Sequence, residues 1–162
     1  MYTVGVLTVS DSASKGQRED KTGPFICEAM EQQSFNVLVH KIVPDDKAKI
    51  GNILREWCDK TAVDLILTTG GTGPSPTDVT PEATKAVIEK ELPGIPEALR
   101  IKGMEFTPMA ILSRACCGIR GKSLIINLPG SLSAVQQGLE IIMPVLKHLI
   151  AKIKGDMTRC GG

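Results

Sequence analysis

The stretch "TTGGTGPSPTDVTPEAT" at residues 68–84 leads from an apolar run into a group of glycines and then into a helical pattern. The run that contains its first residues, "VDLILTT", is short and apolar, which is typical of a strand buried on both faces. Thr80 and Pro81 predict a helix N-cap followed by a proline in the first turn, and we expect this helix to end near Glu91. The stretch therefore predicts a strand, a glycine loop and a helix in direct succession.

The same alternation of strands and helices extends over most of the chain. Apolar, β-branched runs at Tyr2–Ser10 and Phe35–Val43 predict two more strands, each followed by a helical pattern. The segment "ACCGIRGKSLIINLPG" predicts two short strands joined by a glycine-rich turn. The last helix, from about Ala134 to Ile153, contains Pro144, which we expect to kink or divide it. Strands that alternate with helices indicate βαβ units and a mainly parallel sheet, so the predicted fold class is α/β.

Length and composition favour one globular domain. The chain has 162 residues and a formal net charge of +1. This near-neutral charge argues against bulk nucleic-acid binding, which needs many phosphate contacts, and no apolar run approaches the ~20 residues that span a bilayer. We expect a single domain over residues 1–155 with a flexible tail at 156–162, and neither a nucleic acid nor a membrane among the partners.

The cysteines indicate neither a disulfide framework nor a zinc site. Their number is odd, two are adjacent, and no C-x-x-C pair occurs. They are Cys27, Cys58, Cys116, Cys117 and Cys160. We therefore predict reduced thiols and a cytoplasmic protein.

Polar residues and glycines follow the predicted strands at their carboxyl ends, where open parallel sheets bind ligands. These candidate residues are Ser10 and Asp11 after the first strand, Asp45 after the second, Thr69 at the end of the third with Gly70, Gly71, Thr72, Gly73 and Asp78 after it, and Pro129 and Gly130 after the last. The carboxyl ends of parallel strands lie at one edge of a sheet, so we expect these residues to form a single site.

The glycines at 70–73 allow backbone N–H groups to approach an anion closely, because no Cβ intervenes. The helix that follows adds positive potential, which favours phosphate. A tight turn without a ligand explains the glycines equally well. Two familiar nucleotide motifs are absent, since Pro76 breaks a G-x-G-x-x-G pattern and Cys116 stands where a P-loop requires its first glycine.

Asp45 and Asp78 follow neighbouring βα units and can therefore approach each other. Carboxylates beside a phosphate repel it unless a cation intervenes, and Mg²⁺ held by one or two carboxylates and by phosphates is the usual solution. Turn or capping roles explain each aspartate taken singly. Arg114, Arg120 and Lys122 either serve a second anionic group or form a solvated hairpin.

Five segments together resemble the molybdenum-cofactor biosynthesis family, which includes bacterial molybdopterin adenylyltransferases and the G domains of gephyrin and of the plant enzyme. They are "VGVLTVSDS", "IVPDD", "TGGTGPSPTDVTPEAT", Pro93-Gly94 and "LSRACCGIRGKSLIINLPGS". The resemblance covers about Thr3 to Ile150. One departure is "PGSLSAV", where many bacterial and plant members have a second proline, and this leaves the contacts after Gly130 open.

The resemblance implies a three-layer α/β sandwich, usually assembled as a trimer. It also implies a reaction in which AMP passes from ATP to the terminal phosphate of molybdopterin, with Mg²⁺ required and pyrophosphate released. Asp45 and Asp78 match the family's two important aspartates, which are expected to be catalytic and to hold the metal. Ser113 and Arg114 match its "LSR" motif, and Asn127–Gly130 match its "NLPG" turn. A molybdate-insertion protein or domain is the expected downstream partner.

Two other functions remain open from the sequence. A paralogue of the same fold can bind molybdopterin or nucleotide with weak or no transfer activity. The chain can also act as a trimeric interaction scaffold, as the G domain does in gephyrin, although gephyrin uses additional domains for that role. Nucleotide-dependent product formation separates these alternatives.

Overall fold

The computed structural model describes residues 1–159 and contains six strands and six α-helices within that range. The strands are β1 (Thr3–Val9), β2 (Asn36–Val43), β3 (Leu65–Thr69), β4 (Lys90–Glu91), β5 (Cys117–Arg120) and β6 (Ser123–Leu128). The helices are α1 (Asp11–Ser14), α2 (Thr22–Gln32), α3 (Lys47–Asp59), α4 (Thr80–Lys85), α5 (Gly94–Gly103) and α6 (Leu132–Ile153), with a 3₁₀-helix at Pro108–Leu112 between α5 and β5.

The strands form one mixed sheet in the order β2-β1-β3-β6-β5-β4. Strands β2, β1, β3 and β6 are parallel, whereas β5 and β4 are antiparallel to their neighbours. The predicted α/β class with a mainly parallel sheet is confirmed. The parallel strands place the carboxyl ends of β1, β3 and β6 side by side, which positions the candidate site.

Two apolar clusters cover the two faces of the sheet. One joins the sheet to α2 and α6 through residues such as Ile26 and Leu139, and the other joins it to α3 and α4 through residues such as Leu54 and Ala83. Every residue of β3 and β6 is buried, as expected for central strands with helices on both faces. The sandwich therefore has three layers.

One sequence prediction about the helices is wrong, and of the two outcomes expected for Pro144, a kink or a division, the division is excluded. The helix that begins after the glycine loop ends at Lys85 and not near Glu91, because Glu89 and Leu92 donate backbone hydrogen bonds to β5 and the segment between them becomes β4. Pro144 does not divide the last helix, which is continuous from Leu132 to Ile153.

The end of the chain is described only in part. Residues 154–159 are exposed, and the rest of the predicted tail, 160–162, lies outside the described residues. The single-domain boundary at 155 and the flexibility of the tail remain predictions. Within the described range, no helix is both long and apolar enough to cross a membrane.

Gly5 in β1 makes room for the indole of Trp57 from α3. A Cβ at this position would lie 2.8 Å from Trp57 Cε3, and Trp57 itself is 2% exposed. We expect Gly5→Ala to lower the free energy of unfolding by about 1–3 kcal/mol, because the ring must shift within a packed core. Urea-induced unfolding measures this change. Gly94→Ala is the matched control, since nothing lies within 4 Å of its added Cβ, and equal stability of the two variants would contradict the prediction.

Candidate active site

The glycine loop after β3 turns sharply against the end of β1. Gly70 and Gly71 have φ values of +97° and +67°, a backbone conformation that favours glycine. A Cβ on Gly70 would lie 2.3 Å from the carbonyl oxygen of Val9, and one on Gly71 would lie 2.4 Å from Thr80 Oγ1. Both glycines are therefore required by the shape of the backbone, whether or not a ligand is bound.

Thr80 joins the glycine loop to α4 but is not the N-cap predicted from the sequence. The N-cap residue is Val79, and Thr80 lies fully buried in the first turn. Its hydroxyl donates to the carbonyl of Gly70 at 2.9 Å, and its N–H donates to the carbonyl of Gly71 at 3.2 Å. These two bonds fix the start of the helix directly behind the loop.

Three successive backbone N–H groups of the loop remain free. Within the described residues, those of Gly71, Thr72 and Gly73 donate no hydrogen bond, whereas the N–H of Gly70 donates to Leu128. Consecutive free amides beside a cavity are a recurrent way to bind an anion. This observation supports the phosphate interpretation of the glycines over the simple turn.

Asp45 and Asp11 hold each other through reciprocal hydrogen bonds. The N–H of Asp11 donates to Asp45 Oδ2 at 3.1 Å, and the N–H of Asp45 donates to Asp11 Oδ1 at 2.9 Å. Burial raises the pKa of Asp45, and the nearby charges of Asp11 and Asp78 raise it further against the opposing hydrogen bonds. Asp45 and Asp78 line the same cavity, which agrees with the approach expected from the sequence.

Asp78 is positioned by its own loop and by Arg114. The N–H of Ser75 donates to Asp78 Oδ2 at 3.1 Å. Arg114 donates from Nε to the carbonyl of Gly73 and from Nη2 to the carbonyl of Asp78, both at 2.8 Å, and forms an ion pair with Glu82. Its guanidinium is therefore bonded to the loop and to Glu82, which gives Arg114 a positioning role, and the substrate contact expected from the sequence stays a prediction.

Two cavities meet at this loop. We call one the apolar cavity; it has a volume of about 480 Å³ and lies between the loop, α5, the 3₁₀-helix and the start of α6. The other, the polar cavity, has a volume of about 710 Å³ and lies between the ends of β1 and β3, the segment 18–22 and the start of α6. Gly71, Asp78, Gly130 and Ser131 line both. Asp78 is thus a carboxylate common to the two cavities.

Most residues predicted from the sequence line one or both of these cavities. The polar cavity is lined by Ser10, Asp45, Thr69, Gly70, Gly71, Asp78 and Gly130. The apolar cavity is lined by Gly71, Thr72, Gly73, Asp78, Ser113, Pro129 and Gly130. Asp11, Arg114 and Asn127 line neither cavity.

Asn127 lies in a buried polar network beneath the site. It is fully buried, and its Nδ2 donates to the hydroxyls of Thr68 and Thr84, both at 2.9 Å. Its Oδ1 accepts from the N–H of Cys116 at 3.2 Å. Asn127 therefore joins β3, β6 and α4 and does not face a ligand. Burial raises the pKa of Cys116 to about 11, so its thiol stays protonated and does not act as a nucleophile.

Sequence reasoning missed the cluster of Thr8, Asp20 and His40. Asp20 Oδ2 accepts from Thr8 Oγ1 at 2.6 Å and lies 3.1 Å from His40 Nε2, while Oδ1 accepts from the N–H of Gly23 at 2.9 Å. Burial raises the pKa of Asp20, but the hydrogen bonds from Thr8 and Gly23 outweigh it and lower the pKa overall. An aspartate three residues before Gly23 is a helix-start signal that could have revealed this cluster.

Of the two alternatives left open for the basic residues, the structure favours the hairpin for Arg120. Arg120 lies at the end of β5 that pairs with the start of β6, whereas the cavities lie beyond the end of β6. Its guanidinium binds Asp59 at 2.7 and 2.9 Å. Arg120 and the neighbouring Lys122 are therefore at the opposite edge of the sheet, because antiparallel β5 reverses the direction of the chain.

The residues present fit a magnesium ion. Asp45 and Asp78 line the same cavity, and one oxygen of each carboxylate accepts a hydrogen bond from the backbone, which leaves the other for a cation. Among residues 1–159 no group of three or more metal-binding side chains occurs. Two carboxylates supplemented by ligand phosphates are nevertheless a usual composition for Mg²⁺.

The raised pKa of Asp45 has a consequence for stability. The folded protein binds this proton more tightly than the unfolded chain, so ionisation of Asp45 lowers stability as the pH rises through its folded pKa. We expect Asp45→Asn to raise the melting temperature at pH 7 by a few degrees, with no gain below about pH 3, where the carboxyl is protonated in both states. Thermal unfolding across this pH range tests it.

Asp59→Asn is the control of opposite sign. The hydrogen bond from Arg120 lowers the pKa of Asp59, so its stabilising effect is present at pH 7 and is lost as the pH falls through its folded pKa. This variant should not gain stability at pH 7. A lower melting temperature for Asp45→Asn than for the unmodified protein at pH 7 would contradict the assignment of repulsion at the site.

Comparisons with known proteins agree with this fold and show its family. Residues 5–148 match the family described as a probable molybdopterin binding domain. The chain is 44% identical over 155 residues to a molybdopterin adenylyltransferase of Helicobacter pylori, covering 94% of this chain and 88% of the relative. It is 41% identical to gephyrin of Dictyostelium discoideum, covering 94% of this chain and 22% of gephyrin.

Among solved structures, the molybdopterin biosynthesis enzyme MoaB of Thermus thermophilus matches with a TM-score of 0.91 and 45% identity, covering 96% of this chain and 98% of that one. The family match spans both aspartates, the glycine loop and the residues of both cavities up to Ile141. The chain therefore belongs to the molybdenum-cofactor biosynthesis family, whose model describes a probable molybdopterin binding domain.

Proposed function

We propose that this protein is a molybdopterin adenylyltransferase, a nucleotidyltransferase that transfers AMP from ATP to the terminal phosphate of molybdopterin and releases pyrophosphate. The observation that carries the proposal is the pair of cavities that share Asp78 and the glycine loop. A transfer reaction between two substrates needs two adjoining sites with the reacting groups at their junction. Relatives named molybdopterin adenylyltransferase, at 41–44% identity, support the same reaction.

ATP is assigned to the polar cavity and molybdopterin to the apolar cavity. Arg18 and Lys21 line the polar cavity and can bind a triphosphate, while its carboxylates Glu19, Asp20, Asp45 and Asp78 make a cation necessary for such a ligand. The apolar cavity has aliphatic residues such as Leu99 and Ile141 that suit a flat ring system, with Ser113 as a polar contact. The phosphate of molybdopterin and the α-phosphate of ATP then meet near the free amides of Gly71–Gly73.

Neutralisation of charge is the main chemical task of this site. Phosphoryl-type transfer depends on positioning and on electrostatic stabilisation more than on covalent help from the protein. Asp45 and Asp78 would hold Mg²⁺, which when bound neutralises phosphate charge. The free N–H groups of the glycine loop donate to phosphate oxygens, and Arg114 keeps the loop in place. No protein nucleophile is needed, which agrees with the protonated, buried thiol of Cys116.

The proposal includes a downstream partner and a cytoplasmic location for the reaction. The adenylylated product would be the substrate of a molybdate-insertion protein or domain. The four described cysteines are free, in agreement with the reduced thiols predicted for a cytoplasmic protein, while Cys160 lies outside the described residues.

A homotrimer is part of the same proposal. Large apolar side chains are exposed over α5, the 3₁₀-helix and the turn between them, where Ile101, Phe106, Met109 and Ile111 are each at least 60% exposed. We call this set the α5 patch. A contiguous exposed apolar surface of this kind indicates a protein–protein contact. A second copy of the chain is the occupant that the family resemblance favours.

Substitution of either site aspartate tests the reaction. We expect Asp45→Asn and Asp78→Asn each to lower the rate of pyrophosphate release from ATP and molybdopterin by about 10²–10³, the scale seen when a key electrostatic group is removed. Removal of Mg²⁺ should abolish release. Asp46→Asn is the matched control, because Asp46 only caps α3 through Lys49 and asparagine caps equally well.

The outcomes separate the candidate functions. Calorimetric titration of the unmodified protein with ATP and with molybdopterin, with and without Mg²⁺, accompanies the assay. Molybdopterin binding without pyrophosphate release would indicate a binding paralogue. No binding of either ligand would favour an interaction scaffold. Normal turnover in both aspartate variants would exclude their proposed metal-binding role.

Charge introduced into the α5 patch tests the trimer. We expect Phe106→Glu to lower the sedimentation mass from three times 17.3 kDa towards that of one chain, because a buried carboxylate at an interface is costly. Leu38→Glu in edge strand β2, an exposed leucine outside the patch, should leave the mass unchanged. A monomeric unmodified protein would contradict the proposed assembly.

A further inference from the structure

Arg100 in α5 lines the apolar cavity and is held there by two backbone carbonyls. Its Nη1 donates to the carbonyl of Ser113 at 3.3 Å and to that of Ala115 at 3.2 Å. These bonds fix the plane of the guanidinium against the segment that carries Ser113. No sequence pattern singled out this residue.

The guanidinium of Arg100 has no protein counter-ion. Within residues 1–159, no carboxylate lies within 4.0 Å of it, although Arg114 and Arg120 pair with Glu82 and Asp59. Its Nε and Nη2 also donate no hydrogen bond to the described part of the chain. Arg100 is half-buried, so water can solvate these nitrogens in the free protein, and an anionic ligand in the cavity can take the place of that water.

Arg100 is connected through hydrogen bonds to the glycine loop, which lies at the junction of the two cavities. Ser113, whose carbonyl it binds, is followed by Arg114, which donates its backbone N–H to Thr72 at 2.8 Å. The free amides of the glycine loop are therefore two residues away along this chain of contacts. Arg100 and the loop residues Gly71–Gly73 line the same cavity, so an oxyanion bound there has candidate donors on both segments.

We propose that Arg100 is a specificity-determining residue that binds the phosphate monoester of the ligand in the apolar cavity. This inference rests on the function proposed above, in which that ligand is molybdopterin. The planar fork of a guanidinium matches a phosphate, and two of its nitrogens remain available for this contact. A purely structural role, in which Arg100 only supports the segment 113–115, is the alternative.

Phosphorylated and dephosphorylated ligands distinguish these roles. Calorimetry measures the affinity of the unmodified protein and of Arg100→Met for molybdopterin, for its dephospho form and for ATP. We expect Arg100→Met to weaken molybdopterin binding by about 10- to 100-fold, the range for loss of a charge-assisted hydrogen bond. Binding of the dephospho ligand and of ATP should be unchanged. Arg100→Lys, which keeps the charge but not the fork, should lie between.

Arg120→Met is the matched control, since it removes a guanidinium at the opposite edge of the sheet. It should bind all three ligands normally. Equal losses of both pterin ligands in Arg100→Met, or no loss, would overturn the phosphate contact. Loss confined to the phosphorylated ligand supports it even if the unmodified protein releases no pyrophosphate, in which case only the proposed reaction fails. Normal turnover with unchanged binding in Arg100→Met would refute the proposed phosphate contact of Arg100 without contradicting the proposed adenylyl transfer.

Discussion

The close approach of the glycine loop to the end of β1 is the constraint on which the site depends. A side chain at Gly70 would collide with the carbonyl of Val9, and one at Gly71 would collide with the hydroxyl of Thr80. Because these positions lack side chains, the loop folds back and Thr80 can hydrogen-bond to it. The same turn leaves three backbone N–H groups free and directs Asp78 towards Asp45. Anion binding and carboxylate placement therefore have one structural cause.

The carboxylates at this edge of the sheet repel each other, which lowers the stability of the folded protein. Asp11 and Asp45 exchange hydrogen bonds, yet the charges of Asp11 and Asp78 still raise the pKa of Asp45. A folded protein keeps such repulsion when the groups serve a ligand that relieves it. Arg114 attracts the charge of Asp78, but its hydrogen bonds and ion pair go to Glu82 and to the backbone of the loop. The negative charge is thus left for a cation or a ligand.

The strands and the candidate site were largely predictable, because both follow from local pattern and from one rule of topology. Alternating strands and helices indicated the parallel sheet, and the carboxyl ends of its strands brought Asp45, Asp78 and the glycines together. Asn127, which the family's "NLPG" turn implied, lies within β6, and its hydrogen bonds to Thr68 and Thr84 keep it in the buried network beneath the site. The hairpin of β5 and β6 was also visible in the sequence, but its length alone did not decide whether Arg120 serves a ligand or the pair with Asp59. Arg100 and Asp20 were missed because their roles depend on contacts between segments distant in the chain.

The wall that the two cavities share affects how fast a reaction product dissociates from the protein. A molecule built by joining the two ligands would occupy both cavities at once, because Gly71, Asp78, Gly130 and Ser131 belong to both. Each half then holds the other at a high effective concentration, so such a molecule dissociates more slowly than either half alone. Under the proposed reaction, the adenylylated pterin would be retained by avidity. Direct transfer to the next protein would then protect it better than release into solution.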